Sequence, residues 1–279
     1  MTRESSIIEL AQWLKSPPGR YLLGWEQVQL DRHVSDLFGF HALQLGLPQL
    51  DGLRANRMPH RWVASDSLYM PDPYDLPPVD ESISTLAPHA GMALHCDFDA
   101  LPFPSQSLDL VVLPHALELA RDAHDALREV ERVLVPEGRV VITGFNPASL
   151  WGLRQRFGHL RRGMGLGGKL FLPRAGDFIG YWRLRDWLRL LGFEVERGRF
   201  GCWRPPFGSQ RWLDRGAWMD DHGERWWPVL GALYCLVAVK RVRGMRLVGL
   251  ARLQKAPANA PAVVAQPRMH SQADGHDNG

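Results

Sequence analysis

Cysteine is scarce in this sequence. Its three cysteines, Cys96, Cys202 and Cys235, stand far apart, and none belongs to a Cys-x-x-Cys pair. An odd number of isolated cysteines disfavours both a disulfide framework and a zinc site. The pattern predicts a protein of a reducing compartment, the cytoplasm, with no bound metal.

Long apolar runs are also missing. The longest uncharged apolar run, Trp226–Val239, has fourteen residues, which is fewer than the roughly 20 needed to span a bilayer as a helix. Near the N-terminus, Glu9, Gln12 and Lys15 interrupt the apolar residues that a signal peptide would need. The sequence therefore predicts neither export nor a membrane-spanning helix.

Several motifs of common enzyme classes are absent from the sequence. It has no Gly-x-x-x-x-Gly-Lys-Ser phosphate loop, no array of zinc ligands and no Gly-x-Ser-x-Gly elbow, which disfavours nucleotide hydrolases, metalloenzymes and serine hydrolases. The formal net charge is only +3. So small an excess gives no reason to expect a nucleic-acid partner.

The pattern that is present alternates strands with helices. Residues 1–25 carry helical periodicity and predict an N-terminal helical extension. Residues 26–243 alternate between the two kinds of element, which predicts an α/β domain with a mainly parallel sheet, helices on both faces, and ligands at the carboxyl ends of the strands. Residues 244–279 lose this periodicity and are predicted to be a disordered tail.

An ordered series of motifs carries a family resemblance. From Asp97 the chain reads DFDALPFPSQSLDLVVL, and after Pro114 it continues HALELARDAHDALREVERVLVPEGRVVITG. This series resembles the type-11 methyltransferase domain, a branch of the class I S-adenosylmethionine-dependent enzymes. The resemblance implies a Rossmann-like, mostly parallel seven-stranded sheet with an antiparallel last strand, and S-adenosyl-L-methionine as the cofactor.

The resemblance also assigns residues to the cofactor. It implies that Asp97 accepts hydrogen bonds from the adenine amino group and that Phe98 packs on or near the ring. It further implies that Asp66, at the end of the second strand, holds the ribose hydroxyls, since a carboxylate offers two acceptors to two donors. The alternative for Asp97 is that it caps a turn before Leu101.

The first cofactor loop departs from the family pattern. That pattern is an acid, one apolar residue and then Gly-x-Gly-x-Gly, and here it reads Gln44-Leu-Gly46-Leu-Pro48-Gln-Leu50. Gln44 and Gly46 are the predicted cofactor contacts. Pro48 and Leu50 should narrow and stiffen the approach to the cofactor, because glycine lets a backbone come close to a ligand.

Two polar residues are candidates for work on the substrate. Methyl transfer needs alignment, a dry pocket and, where the nucleophile carries a proton, a base. His115 follows the fourth strand and is the predicted base, with a helix-start histidine bonded to backbone as the alternative. Asn146 follows the fifth strand and either orients the substrate or makes the turn before Pro147.

A basic insertion is expected near residues 148–176. Between Trp151 and Ala175 there are six cations and no acid, and apolar residues recur there at helical spacing. This segment is a lid over an acidic or lipid-like substrate, a peripheral membrane contact through residues 150–174, or a solvated helix packed on the sheet. Trp151 and Arg154 are the substrate candidates within it.

The predicted function is methyl transfer from S-adenosylmethionine to a small-molecule or lipid-like acceptor. Its alternative is a catalytically inactive binding or scaffold protein with the methyltransferase fold. The reason for that alternative is the loop from Gly46 to Leu50, which lacks the later glycines of the family pattern.

Overall fold

The computed structural model describes residues 3–65, 92–165, 170–172 and 178–241 of the chain. Its helices are α1 Arg3–Leu14, α2 Pro17–Val34, α3 Ala116–Leu119, α4 Ala123–Val133, α5 Leu150–Gly163, α6 Tyr181–Leu190, α7 Gln210–Arg215 and α8 Trp218–Trp226. Its strands are β1 His41–Leu45, β2 His60–Ser65, β3 Met92–His95, β4 Leu108–Pro114, β5 Leu134–Phe145, β6 Phe193–Gly201 and β7 Leu233–Lys240.

The strands form one sheet of seven, in the order β3-β2-β1-β4-β5-β7-β6. The pairs β1–β2, β1–β4, β2–β3 and β4–β5 are parallel. Strand β7 lies between β5 and β6 and is antiparallel to both. The mostly parallel seven-stranded sheet with an antiparallel last strand, predicted from the sequence, is confirmed.

Alternate residues of the central strands feed two separate cores. Leu110 and Val112 of β4 point into the core beneath α1 and α2, whereas Val111 and Leu113 point into the core beneath α4 and α6. A strand covered on both faces must be apolar on both faces, and the continuous apolar run of β4 meets that requirement. Helices therefore cover both sides of the sheet, as predicted.

Helix α4 shows how local sequence fixes the boundary of an element. Asp122 has extended backbone and its Oδ1 accepts a hydrogen bond from the amide of His124 at 2.7 Å, which caps the helix. Leu127 and Val130 lie on its buried face. Beyond the helix, Glu137 adopts a positive φ of 64° inside β5, so the Pro136-Glu137-Gly138 turn is part of that long strand.

Two of the predicted domain limits can be compared with helices in the described part of the chain. Helix α2 runs through residues 25 and 26, where the sequence places the boundary of the N-terminal extension. Helix α5 lies inside the predicted basic insertion. The predicted tail, 244–279, lies outside the described residues, and the domain limits stay a prediction.

Candidate functional site

Three predicted site residues follow neighbouring strands at the carboxyl edge of the sheet. Gly46 follows β1, His115 follows β4 and Asn146 follows β5. Gly46 has a φ of 79°, and a Cβ built on it would lie 3.5 Å from the Cβ of Ala116. The loops after β1 and β4 therefore touch, and glycine is needed at position 46 for its backbone conformation.

The side chain of Gln44 closes the loop that follows β1. It has no exposed surface. Its Nε2 donates to the carbonyls of Leu47 at 3.1 Å and Leu50 at 2.6 Å, and its Oε1 accepts from the amide of Gly52 at 2.8 Å. Because both ends of the amide bond to the loop itself, the loop is held shut from inside.

Two leucines fill the interior of the same loop. Leu47 and Leu50 are buried and belong to the core beneath α1 and α2. Leu50 stands where the family pattern has its last glycine. The loop is therefore folded into the protein as a packed turn, and its polar and apolar groups are both used internally.

Asp97 and Phe98 lie just beyond β3. Asp97 is half-buried, and its carbonyl accepts from the amide of Ala100 at 3.2 Å, which makes a turn. Phe98 is buried in the core beneath α4 and α6. Asp66, the predicted ribose contact, lies outside the described residues. The roles of Asp97, Phe98 and Asp66 stay predictions.

His115 lies between two carboxylates in the interior. Its Nδ1 is 2.7 Å from Oε2 of Glu118, and its Nε2 is 3.0 Å from Oε1 of Glu26 on α2. The side chains of His115 and Glu26 have no exposed surface. His115 also adopts a left-handed φ of 53°, which for a residue with a side chain requires support from the surrounding structure. We name Glu26, His115 and Glu118 the buried triad.

The protonation of the triad follows from these contacts. Burial lowers the pKa of His115, but attraction to the carboxylates of Glu26 and Glu118 outweighs it and raises the pKa to about 10. At neutral pH the ring is therefore an imidazolium, and a cation does not accept a further proton. To act as a base, His115 would first have to pass its proton to one of the two carboxylates.

The triad is tied into the sheet but not fully satisfied. Oε1 of Glu118 accepts from the amide of Phe145 at 2.6 Å. Within the described part of the chain, both carboxylate oxygens of Glu26, Nε2 of His115 and Oγ1 of Thr143 have no hydrogen-bond partner, so the 3.0 Å contact between Glu26 and His115 is a charge contact without hydrogen-bond geometry. Buried polar groups without partners are costly, so the triad depends on the structure that surrounds it.

Aromatic rings cover the triad. The ring of Phe145 lies 4.5 Å from that of His115, and Trp13 on α1 packs edge-on against Phe145 at 6.1 Å and Trp151 at 6.3 Å. The indole of Trp13 also donates to the carbonyl of Phe171 at 2.8 Å. The N-terminal helices thus close over the carboxyl ends of β4 and β5.

The remaining substrate candidates are held by backbone groups. Asn146 donates through Nδ2 to the carbonyls of Val229 at 2.8 Å and Gly231 at 2.9 Å, and its Oδ1 accepts from Ala148 at 3.1 Å. These bonds make a turn and anchor the segment before β7. Contact of Asn146 with a substrate stays a prediction.

Trp151 and Arg154 lie one turn apart on α5. Trp151 is buried, and its indole donates to the carbonyl of Arg204 at 2.7 Å. Arg154 is exposed, donates to the carbonyl of Pro206 and lies 4.4 Å from the ring centre of Phe171. The structure brings the two side chains together around Phe171, and their roles toward a substrate stay predictions.

A cleft of about 450 Å³ opens beside the triad. It lies between the segment from α3 to α4 and the start of α6, and its lining includes Glu118, Arg121, His124, Phe178, Arg183 and Trp187. Glu118 belongs to both the triad and the cleft. Arginines beside aromatic and aliphatic walls suit a ligand that has an anionic group and an apolar body.

Sequence reasoning missed both carboxylates of the triad and this cleft. Glu118 stands three residues after His115, a spacing that brings side chains together on a helical turn, so the sequence carries a signal for that pair. Glu26 precedes His115 by many residues and sits in the apolar stripe of α2. A buried acid in such a stripe is the only local hint of an interior partner.

The adenosine half and the methionine half of S-adenosyl-L-methionine would meet different surroundings in this protein. Just beyond β3, the half-buried carboxylate of Asp97 offers an acceptor to the amino group of an adenine, and the ring of Phe98 beside it is buried. At the end of β1, the methionine half would meet a loop whose amide, carbonyl and leucine groups already bond or pack with one another. The fit of Asp97 and Phe98 to the adenosine half stays a prediction, and the closed loop leaves the methionine half without free partners from Gln44.

The strand order, the antiparallel β7 and the loops at the carboxyl edge define a class I S-adenosylmethionine-dependent methyltransferase fold. A family model described as a methyltransferase domain matches residues 76–142. The resemblance drawn from the sequence is thereby confirmed, and it implies S-adenosyl-L-methionine as the cofactor.

Comparison with known proteins adds three relatives. The chain is 28% identical over 254 residues to the uncharacterized protein YafS of Escherichia coli (strain K12), covering 91% of this chain and 90% of that protein. Over 58 residues, 21% of this chain and 20% of the relative, it is 47% identical to a malonyl-[acyl-carrier protein] O-methyltransferase of Halorhodospira halophila.

The third match is a solved structure, a complex between the Haloferax volcanii Trm112 methyltransferase activator and a candidate methyltransferase. It matches with a TM-score of 0.52 at 16% identity, and the alignment covers 87% of this chain and all of that one (100%). At this identity the match shows the shared fold alone.

Proposed function

We propose that this protein transfers a methyl group from S-adenosyl-L-methionine to a small-molecule or lipid-like acceptor. The observation that carries this proposal is the methyltransferase-domain match over residues 76–142, which includes Asp97, His115 and Glu118. It is supported by the cleft beside Glu118 at the carboxyl edge of the sheet, where ligands bind in open α/β folds.

When bound, S-adenosyl-L-methionine supplies an electrophilic methyl group on a sulfonium. Asp97 and Phe98 would contact its adenine, Asp66 would hold its ribose, and the turn at Gly46 would let the backbone approach it. His115 would contribute through the buried triad, whose Glu118 also lines the cleft. Asn146, Trp151 and Arg154 would act by holding neighbouring segments in place, since they bond to the backbone of Val229, Arg204 and Pro206 and are not among the residues that line the cleft.

The class of acceptor follows from the lining of the cleft. Arg183 and Arg121 offer charge to an anionic group, while Phe178, Ile179 and Trp187 offer apolar surface. The local similarity to an enzyme named for methylating malonyl-[acyl-carrier protein] agrees with an acceptor that has a carboxylate and an acyl body. A carboxylate nucleophile needs no base, which suits a histidine that is already protonated.

Cofactor binding is tested by calorimetry with S-adenosylmethionine and its demethylated product. We expect both to bind the wild-type protein and Asp97→Asn to weaken binding by roughly 10- to 100-fold, because a hydrogen bond to a charged group is worth about 1.5–3 kcal/mol. Asp99→Asn is the matched control, since Asp99 is two residues away and lies near Arg121 at 3.8 Å. Equal binding by wild type and Asp97→Asn would contradict the assignment.

Transfer itself is tested by the release of S-adenosylhomocysteine. The purified protein is incubated with S-adenosylmethionine and either a total lipid extract or an aqueous small-molecule extract of bacterial cells. We expect release above the acceptor-free rate in one of the two, and reduced release from Arg183→Ala. No release with either extract, in a preparation that binds the cofactor, would count against an enzyme.

The second candidate is a binding module that has the fold without the reaction. The closed loop around Gln44 favours it, because the amide is fully bonded inside the protein. Gln44→Ala removes those bonds and separates the candidates. If wild type fails to bind S-adenosylmethionine at millimolar concentration and Gln44→Ala binds it, the native loop excludes the cofactor and the binding module stands.

A further inference from the structure

Helix α5 exposes a line of apolar side chains. Leu150, Leu153, Phe157, Leu160 and the C-cap residue Met164 are between 41% and 59% exposed. Their spacing of three and four residues places them on one side of the helix. This continuous apolar strip, which we name the α5 stripe, extends for about 21 Å at a rise of 1.5 Å per residue.

The stripe faces away from the protein. At about 100° per residue, its members fall within an arc of roughly 80°, about opposite the direction of Trp151 and Gln155. Trp151 and Gln155 are the buried side chains of this helix, at 1% and 4% exposure. The apolar stripe is therefore not the face that packs on the sheet.

The orientation of α5 is fixed by hydrogen bonds. The hydroxyl of Ser149 accepts from the amide of Gly152 at 3.1 Å and caps the helix. Gln155 exchanges two bonds with the backbone of Leu172, at 3.0 and 3.1 Å, and the indole of Trp151 donates to Arg204. Rotating the helix to bury its stripe would break the bonds of Trp151 and Gln155 to these other segments.

Positive charge borders the stripe on both sides. By the same helical geometry, Arg154 and Arg161 lie along one edge of the stripe and Arg156 along the other. No acid occurs between Trp151 and Ala175 in the sequence. An apolar face bordered by arginines is the surface that binds at the interface of an anionic membrane, where the apolar side chains enter the acyl boundary and the cations meet the headgroups.

The arginines that border the α5 stripe also argue against two other partners, a second copy of this protein and a nucleic acid. Two copies of α5 packed on each other would bring arginines together with no acid from either helix to offset them. A nucleic acid would satisfy the arginines but would leave Phe157 and Leu160 in contact with phosphate and water. An anionic surface with an apolar interior, such as an anionic membrane, meets both halves of the pattern.

We propose that α5 docks this protein on the surface of anionic membranes, with Leu153, Phe157 and Leu160 inserted at the headgroup boundary. This docking is independent of methyl transfer, because it rests on α5 alone. It would place the neighbouring site close to lipid-like acceptors.

Vesicle flotation of the full-length protein tests the docking. Phosphatidylcholine vesicles with and without phosphatidylglycerol are compared at low and high salt. We expect flotation only with phosphatidylglycerol and a steep loss at high salt, since salt screens exposed charge. Absence of flotation with anionic vesicles at low salt would overturn the proposal, whatever the result of the cofactor and transfer assays.

Two sets of variants test whether α5 is the helix that binds the vesicles. Phe157→Ser should weaken vesicle binding by about tenfold or more, whereas Phe38→Ser, at a phenylalanine that is more exposed, should have no effect. Arg156→Glu with Arg161→Glu should weaken it by roughly a hundredfold or more. Arg20→Glu with Arg189→Glu makes the same change in net charge elsewhere and should weaken it far less.

Three results would overturn the assignment to α5. The first is equal loss of vesicle binding in each variant and its control. The second is a dimer in light scattering that Phe157→Ser dissociates, which would make the stripe an interface between copies. The third is binding of duplex DNA that the arginine reversal abolishes and Phe157→Ser leaves unchanged, in a protein that does not float.

Discussion

The buried triad and the α5 stripe depart from ordinary burial in opposite directions. The triad keeps Glu26, His115 and Glu118 in the interior, whereas α5 leaves Phe157 and Leu160 more than half exposed. Buried charge persists only when the surrounding structure pairs it, and a continuous exposed apolar strip marks a contact with something outside the chain. We therefore expect changes in the triad to alter the stability of the fold, and changes in the stripe to alter what the protein binds.

Removing His115 should give the largest effect. His115→Ala leaves two carboxylates facing each other in the interior, and breaking a buried ion pair costs about 3–5 kcal/mol. Urea unfolding should show this as a lower midpoint. His159→Ala, at an exposed histidine on α5, is the control and should unfold like wild type. A loss below about 1 kcal/mol would mean that the triad is not an ion-paired unit.

The pH dependence of stability should be the next effect in size. The pKa of His115 is raised to about 10 in the folded protein, above about 6.5 in the unfolded chain. Its contribution is therefore complete below about pH 6.5 and is lost as the pH rises toward about 10, with a slope of up to about 1.4 kcal/mol per pH unit from this group. Unfolding free energies measured across that range test the sign.

His115→Gln provides the comparison for the pH series. This variant lacks the titrating ring, so the decline in stability between neutral pH and about pH 10 should be smaller in it than in wild type. Parallel curves for the two proteins would show that other groups cause the pH dependence and that His115 is not an imidazolium at neutral pH.

Changes on the stripe should have the smallest effect on stability. Phe157→Ser should change the free energy of unfolding by no more than about 0.5 kcal/mol, as for a surface position. The matched control, Phe145→Ser, makes the same substitution beside His115 and should cost at least about 3 kcal/mol. If Phe157→Ser destabilises as much as Phe145→Ser, the stripe packs against the protein and the contrast with the triad disappears.

The local sequence accounts for most elements of the fold. The Asp122 cap and the apolar spacing of Leu127 and Val130 predict α4, and the apolar run from Leu108 predicts β4. These signals act between residues that are near in the chain, so they can be recognised without the fold. The motif series from Asp97 to Gly144 predicts the sheet as well, because it is specific to one family of folds.

The sequence predicts the sheet, the longer helices and the amphipathic, basic character of α5, whereas it carries no prediction of the short helices α3, α7 and α8. Only the tertiary structure decided that Glu26 meets His115, that Gln44 bonds the loop shut, and that the α5 stripe faces outward. Pairing of distant residues depends on how α2 crosses the strand ends, and the direction of a helix face depends on which bonds its other face makes. For α5 those bonds come from Leu172 and Arg204, which no periodicity within residues 150–163 can specify.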